Sequence, residues 1–92
     1  MGFGSYIRAA REARGVTLNG LAPRMGLSPA YWSRIELERE NPPRDEVLEL
    51  LVKELDLDRD DVFVQAGRLP PEMRSHLAEI VKMWRRKEKR NP

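Results

Sequence analysis

Apolar positions along this chain recur at helical spacing in six separate stretches, and none alternates in the manner of a half-buried strand. Tyr6, Ile7, Ala10 and Ala13 mark the first stretch, with Ser5 as its expected cap and Gly15 as a left-handed stop. Thr17 is placed to cap a second helix carrying Leu18, Leu21, Ala22 and Met25, which ends at Gly26. Ser28-Pro29 is a start signal, a capping hydroxyl followed by proline at the first helical position. The third helix that it opens carries Tyr31, Trp32 and Ile35 and is expected to end near Leu37–Glu38. Asn41-Pro42-Pro43 then breaks the chain.

The fourth helix is expected from Asp45 to Leu55, with Val47, Leu48, Leu51, Val52 and Leu55 on one face. Asp58 caps a short fifth helix containing Val62, Phe63 and Ala66, closed by Gly67. After a second break at Leu69-Pro70-Pro71, residues 72–87 read as a sixth helix. Met73, Leu77, Ile80, Val81 and Trp84 form one stripe along it. The tail 87–92 is expected to fray. The chain shows no internal repeat and no low-complexity segment.

At 92 residues this is one small domain with, at most, an appended helix. With no cysteine, disulfides, thiolate zinc sites and thiol catalysis are excluded, and one histidine cannot form a His-pair metal site. No metal or cofactor is expected, and no nucleophile–base pair or phosphate-cradling loop argues for an enzyme. Without a long apolar run or a signal-peptide core, the chain is expected to be soluble, cytoplasmic and not bound to a membrane.

The net charge of +2 conceals a segregation. Residues 1–44 carry seven Arg against four Glu (+3), residues 45–67 eight acids against Lys53 and Arg59 (−6), and residues 68–92 eight bases against three Glu (+5). Chains divided in this way often turn a basic face to a polyanion.

The segment Leu18–Leu37 is the most informative. Only Gly26-Leu27-Ser28 separates the second and third helices, too little for an antiparallel hairpin, so a glycine-based turn must set them at a steep angle. Ala22 sits at the expected crossing, where only a small side chain permits close approach.

On these residues the chain resembles the Cro/repressor-type helix-turn-helix family, the lambda-repressor-like group. The matching pieces are Ile7-Arg8, Arg11-Glu12, Gly15, Leu21-Ala22, Gly26-Leu27-Ser28, Tyr31-Trp32-Ser33-Arg34-Ile35-Glu36 and Asn41-Pro42. The resemblance implies an all-α fold: a five-helix DNA-binding domain over residues 3–67, with an additional C-terminal amphipathic helix and basic tail over 68–92. It implies that the third helix enters the major groove of double-stranded DNA, a docking geometry for which this repressor group is itself a standard example. The residues then offered to base edges are Pro29, Ala30, Ser33 and Arg34. Arg34 is the best direct reader, because its planar fork matches guanine O6 and N7. Arg24, Ser28, Tyr31, Arg39, Asn41 and Arg44 are the candidates for phosphate contacts. Tyr31 is equally suited to packing on the second helix, and Trp32 faces the core. The resemblance also implies a partly buried ion pair between Arg11 and Glu36.

Four departures from the family pattern bear on the second and third helices. Leu18 replaces a phosphate-contacting glutamine, Pro23 and Gly20 weaken the second helix, and Glu38 stands where a glycine usually closes the third. The stripe on the sixth helix must be covered, either by its own domain or, as we expect, by the same helix of a second chain in a homodimer. The basic run from Lys82 to Arg90 then either touches phosphate or is simply solvated, and His76 has no assigned role. Three functions fit these features: a DNA-binding transcriptional regulator, most simply a repressor; an antitoxin that binds its operator and a toxin protein; or a protein-interaction module that binds no DNA.

Overall fold

A computed structural model of the chain describes residues 2–89, whose regular elements are all helical with no strand among them. The first helix, α1, runs Phe3–Ala13 and begins at Gly2, not at Ser5, which lies inside its first turn. The reason is burial. Phe3, Ile7 and Arg11 form its inner face, so the helix must already be wound at Phe3 to bring that ring into the core, while Tyr6 packs only against the edge.

The second helix is one α turn, α2 (Leu18–Leu21), which tightens into a 3-10 turn over Ala22–Met25. Pro23 has no N–H to continue the α-helical ladder, so the i→i+3 pattern takes over. Thr17 caps α2 by accepting the Gly20 N–H at 3.0 Å. Gly26 at φ 72 ends the segment, with its N–H on the Pro23 carbonyl at 3.0 Å and that of Leu27 on the Ala22 carbonyl at 3.1 Å.

Helix α3 (Pro29–Glu36) follows at once, capped by Ser28, whose hydroxyl accepts the Tyr31 N–H at 3.1 Å. It stops when Glu38 adopts φ 62, the left-handed conformation that a glycine would reach without strain. Helix α4 spans Asp45–Leu55 and α5 spans Arg59–Gln65, the latter capped by Asp58 and followed by Gly67 at φ 76. Side chains from α1 to α5 close one core, in which Ile7, Leu21, Ala22, Trp32, Leu48, Leu51, Val62 and Phe63 are fully buried.

The last segment differs from the simple helix over 72–87. Residues Pro71–His76 form a 3-10 turn, and α6 runs Leu77–Lys89, so the apolar stripe loses Met73 from its register and the helix continues past Lys87. Arg90, part of the expected basic run, lies outside the described residues. Ile80 alone is half-buried among the described α6 side chains, and Leu77, Val81, Met83 and Trp84 stand in solvent. The helix therefore projects from the body, whose extents with it are 48 × 27 × 24 Å. No helix among the described residues is long and apolar enough to cross a membrane.

Candidate nucleic-acid interface

The turn that precedes α3 sets how it is presented. The Gly26–Ser28 turn delivers the chain to Pro29 with the Ser28 cap in place, and the inner face of α3 is then fixed by Trp32, Ile35 and Glu36, all buried. What remains outward is the opposite face. Pro29, Ala30 and Arg34 are exposed, and Ser33 is half-buried, lining a cleft of about 170 Å³ with Arg8, Leu18 and Leu37. Arg34 holds its guanidinium 5.5 Å over the Tyr31 ring and 3.6 Å from Glu40. Both partners of that ion pair are close to half exposed, so the attraction is weak and is readily exchanged for a stronger acceptor. Tyr31 is half-buried, its ring packed against the core edge beneath Arg34.

The flanking cations are placed unevenly. Arg24, in the 3-10 turn before Gly26, lies 3.4 Å from Glu54, and Arg44, the residue before α4, lies 3.4 Å from Glu46. Arg39 is exposed and makes no ion pair among the described residues. Asn41 is not gathered with the outer face of α3. It lines a separate groove of about 320 Å³ beside Glu38 and Glu40, where two carboxylates would oppose a phosphate.

Behind α3 lies a buried polar junction. Arg11 reaches from α1 and donates to both oxygens of Glu36, Nε to Oε2 at 2.7 Å and Nη2 to Oε1 at 2.8 Å. Its third donor, Nη1, meets the Val16 carbonyl at 2.9 Å in the loop before α2. Trp32 Nε1 donates to Glu36 Oε2 at 2.7 Å, so the indole is both core and polar partner. The hydrogen bonds that Arg11 donates to Glu36 raise the guanidinium's pKa above its usual value, against the opposing effect of burial. No buried side-chain nitrogen or oxygen in the described residues lacks a partner. An acidic residue on α3 is thereby turned inward and neutralised, leaving the outer face without a carboxylate of its own.

Sequence reasoning missed two contributors. Trp32 as a hydrogen-bond donor had no signal beyond its ring. Gly4 had none at all: a Cβ there would lie 2.3 Å from the Ile35 carbonyl oxygen and 2.6 Å from that of Glu36. The backbone of α1 rests directly on the last turn of α3, and only glycine allows it.

Comparisons with known proteins converge on one architecture. Residues 3–62 match the profile described as the helix-turn-helix domain. The chain is 35% identical over 78 residues to an uncharacterized HTH-type transcriptional regulator of Mycobacterium tuberculosis, covering 85% of this chain and 55% of that protein. It is also 35% identical over 65 residues to the HTH-type transcriptional repressor RghR of Bacillus subtilis, covering 71% of this chain and 48% of RghR. The chain thus spans about half the length of the curated relatives it matches. Among solved structures, a chain of the master regulator for biofilm formation SinR, in complex with DNA, superposes with a TM-score of 0.59 at 28% identity over 65% of this chain and 95% of that chain.

Proposed function

This chain belongs to the helix-turn-helix domain family, with a five-helix lambda-repressor-like body and an added sixth helix, and on that premise we propose that it binds double-stranded DNA sequence-specifically and represses transcription. The presentation of α3 carries the reading. A helix locked from behind by Glu36 and Trp32 offers Pro29, Ala30, Ser33 and Arg34 at its outer surface, where the half-exposed pair of Arg34 with Glu40 at 3.6 Å is readily exchanged for a nucleic-acid acceptor. Arg34 reads a guanine by its fork, Ala30 and Pro29 contact thymine methyls or follow groove shape, and Ser28 donates its hydroxyl to a phosphate while capping the helix. Arg24, Tyr31, Arg39 and Arg44 take phosphates, with Arg39 foremost because it has no ion pair to give up. Asn41, flanked by Glu38 and Glu40, contributes least. The protein acts in the cytoplasm, by occupancy alone and without a catalytic step.

The exposed apolar stripe of α6 supports a homodimer in which the two helices cover one another and two α3 helices meet half-sites about 34 Å apart. A toxin or other protein on the same stripe is the competing occupant. Selecting bound sites from a random duplex pool tests the whole reading. The expected result is a two-fold symmetric site. Arg34→Ala should flatten the preference among sites, whereas Arg39→Ala should weaken all sites alike and reduce the salt slope by about one. No binding to any duplex at low salt would overturn the assignment.

A further inference from the structure

Six charged side chains away from the outer face of α3 gather around the segment that joins α5 to α6. Arg59 lies across two carboxylates, with Nε and Nη2 on Glu49 at 2.7 and 3.0 Å and Nη1 and Nη2 on Glu72 at 2.7 and 2.9 Å. Arg74 grips Asp45 with Nη1 and Nη2 at 2.7 and 3.1 Å and returns Nε to the Leu69 carbonyl at 3.1 Å. Arg68 donates to the Pro43 and Pro42 carbonyls at 2.6 and 3.1 Å and to Asp45 at 3.3 Å. Segment 68–74 is therefore fastened to α4, to α5 and to the turn that follows α3. Pro70 is fully buried beneath it. Immediately beyond, α6 stands in solvent.

An isolated surface ion pair contributes little, because water competes and two long side chains must be held still. Forked geometry and shared partners alter that balance. Here Arg59 and Arg74 each hold a carboxylate with two nitrogens, and Asp45 is shared by Arg68 and Arg74. The large apolar side chains of the body's core come from α1 to α5, and the linker adds the ring of Pro70 beneath these contacts. What the contacts restrict is the angle at which α6 departs. A helix of 13 residues is ~20 Å long, so a swing of ~10° at its base moves its far end by ~3.5 Å, one base-pair step.

We propose that Arg59, Arg68 and Arg74, together with Asp45, Glu49 and Glu72, are positioning residues that fix α6 against the body and so set the separation at which two recognition helices meet DNA. The inference rests on the reading of the chain as a DNA-binding pair joined through α6. It makes the linker a spacing ruler, clamped to the turn after the recognition helix itself.

The chain has no cysteine, so labels are easily added. Lys53→Cys on α4 and Lys82→Cys on α6 carry spin labels in the full chain, diluted with unlabelled protein, and the inter-label distance distribution is measured. It should be narrow with the clamp intact. It should broaden in Glu72→Gln/Arg74→Gln, which alters the linker alone, with the helical content and unfolding midpoint unchanged. In parallel, duplexes carrying two selected half-sites at stepped separations are titrated. The intact chain should favour one separation by about tenfold over its neighbours, and the variant should lose that preference while binding a single half-site equally well. A distribution that stays narrow in the variant overturns the clamp. A broadened variant that retains the intact chain's spacing preference overturns its part in spacing. An intact chain that gains nothing from a second half-site overturns the underlying reading of a pair, whatever the labels report.

Discussion

Arg11 meets Glu36 at 2.7 Å with side chains 9% and 2% exposed, whereas Arg59 meets Glu49 and Glu72 at the same distance with side chains 34%, 44% and 60% exposed. The groups and lengths are alike, but the surroundings are not. At the α1–α3 junction, removing either partner strands a charge that is nearly sealed from water at the floor of a narrow cleft. At the linker, water takes the place of a lost partner, so what disappears is direction, not stability. One assembly holds the body in its fold. The other orients what leaves the body. An ion pair's length alone therefore says nothing of its role; its exposure and what lies on either side decide.

The sharpest way to break this contrast is at its buried end. Glu36→Gln keeps the shape but leaves Arg11 without its counter-charge, and should lower the unfolding free energy by ~3–5 kcal/mol, seen as a lower urea midpoint at unchanged slope. A loss no larger than that of a surface substitution would place the junction with the linker. Gly4→Ala probes the same junction without touching charge. Its methyl must push α1 off the Ile35 and Glu36 carbonyls, at ~1–3 kcal/mol, and DNA affinity should fall in step because α3 shifts with it.

Acid gives the gentlest test of the linker. The Arg74 guanidinium holds the Asp45 carboxyl below its usual range, helped by Arg68, and Arg59 does the same for Glu72, helped by Arg74. Both folded-state values are depressed, so each group's contribution is fully present above the ordinary carboxylate range of ~3.9–4.3 and is lost as pH falls through the lower folded value. The narrow label distribution should therefore persist at pH 5 and broaden only below about pH 4. Broadening near neutrality would rule out these carboxylates as its cause.

Much of the body was legible in the sequence because its signals are local. Residues 45–55 read as a helix and are one to the residue, since a proline break precedes them and their apolar positions keep one period. Thr17, Ser28 and Asp58 act as caps, and Gly15, Gly26 and Gly67 take positive φ, because hydroxyl, carboxylate and glycine declare these roles within a few residues. The likeness to one family, not residue spacing, suggested that Arg11 and Glu36 would meet.

What was hidden depends on distant chain. Ser5 carried a local capping signal that lost to the burial of Phe3. Gly4 reads as a weak point in a helix until α3 is laid against it. Arg59, Arg68 and Arg74 find their carboxylate partners 10 to 29 residues away, with no local signal to pair them. For α3, the outward residues were legible in the sequence, but not that Glu40 and Glu54 would lie beside Arg34 and Arg24.

The two tryptophans fall on opposite sides of this division. Trp32 is sealed in the core with its indole N–H on a carboxylate, and Trp84 is 59% exposed on α6. Each half of the molecule thus carries its own intrinsic fluorophore. An aqueous quencher such as iodide should extinguish the red-shifted emission of Trp84 and leave the blue emission of Trp32. Loss of that blue component then reports melting of the body, while protection of the red one on mixing reports that α6 has been covered, both from one unlabelled sample.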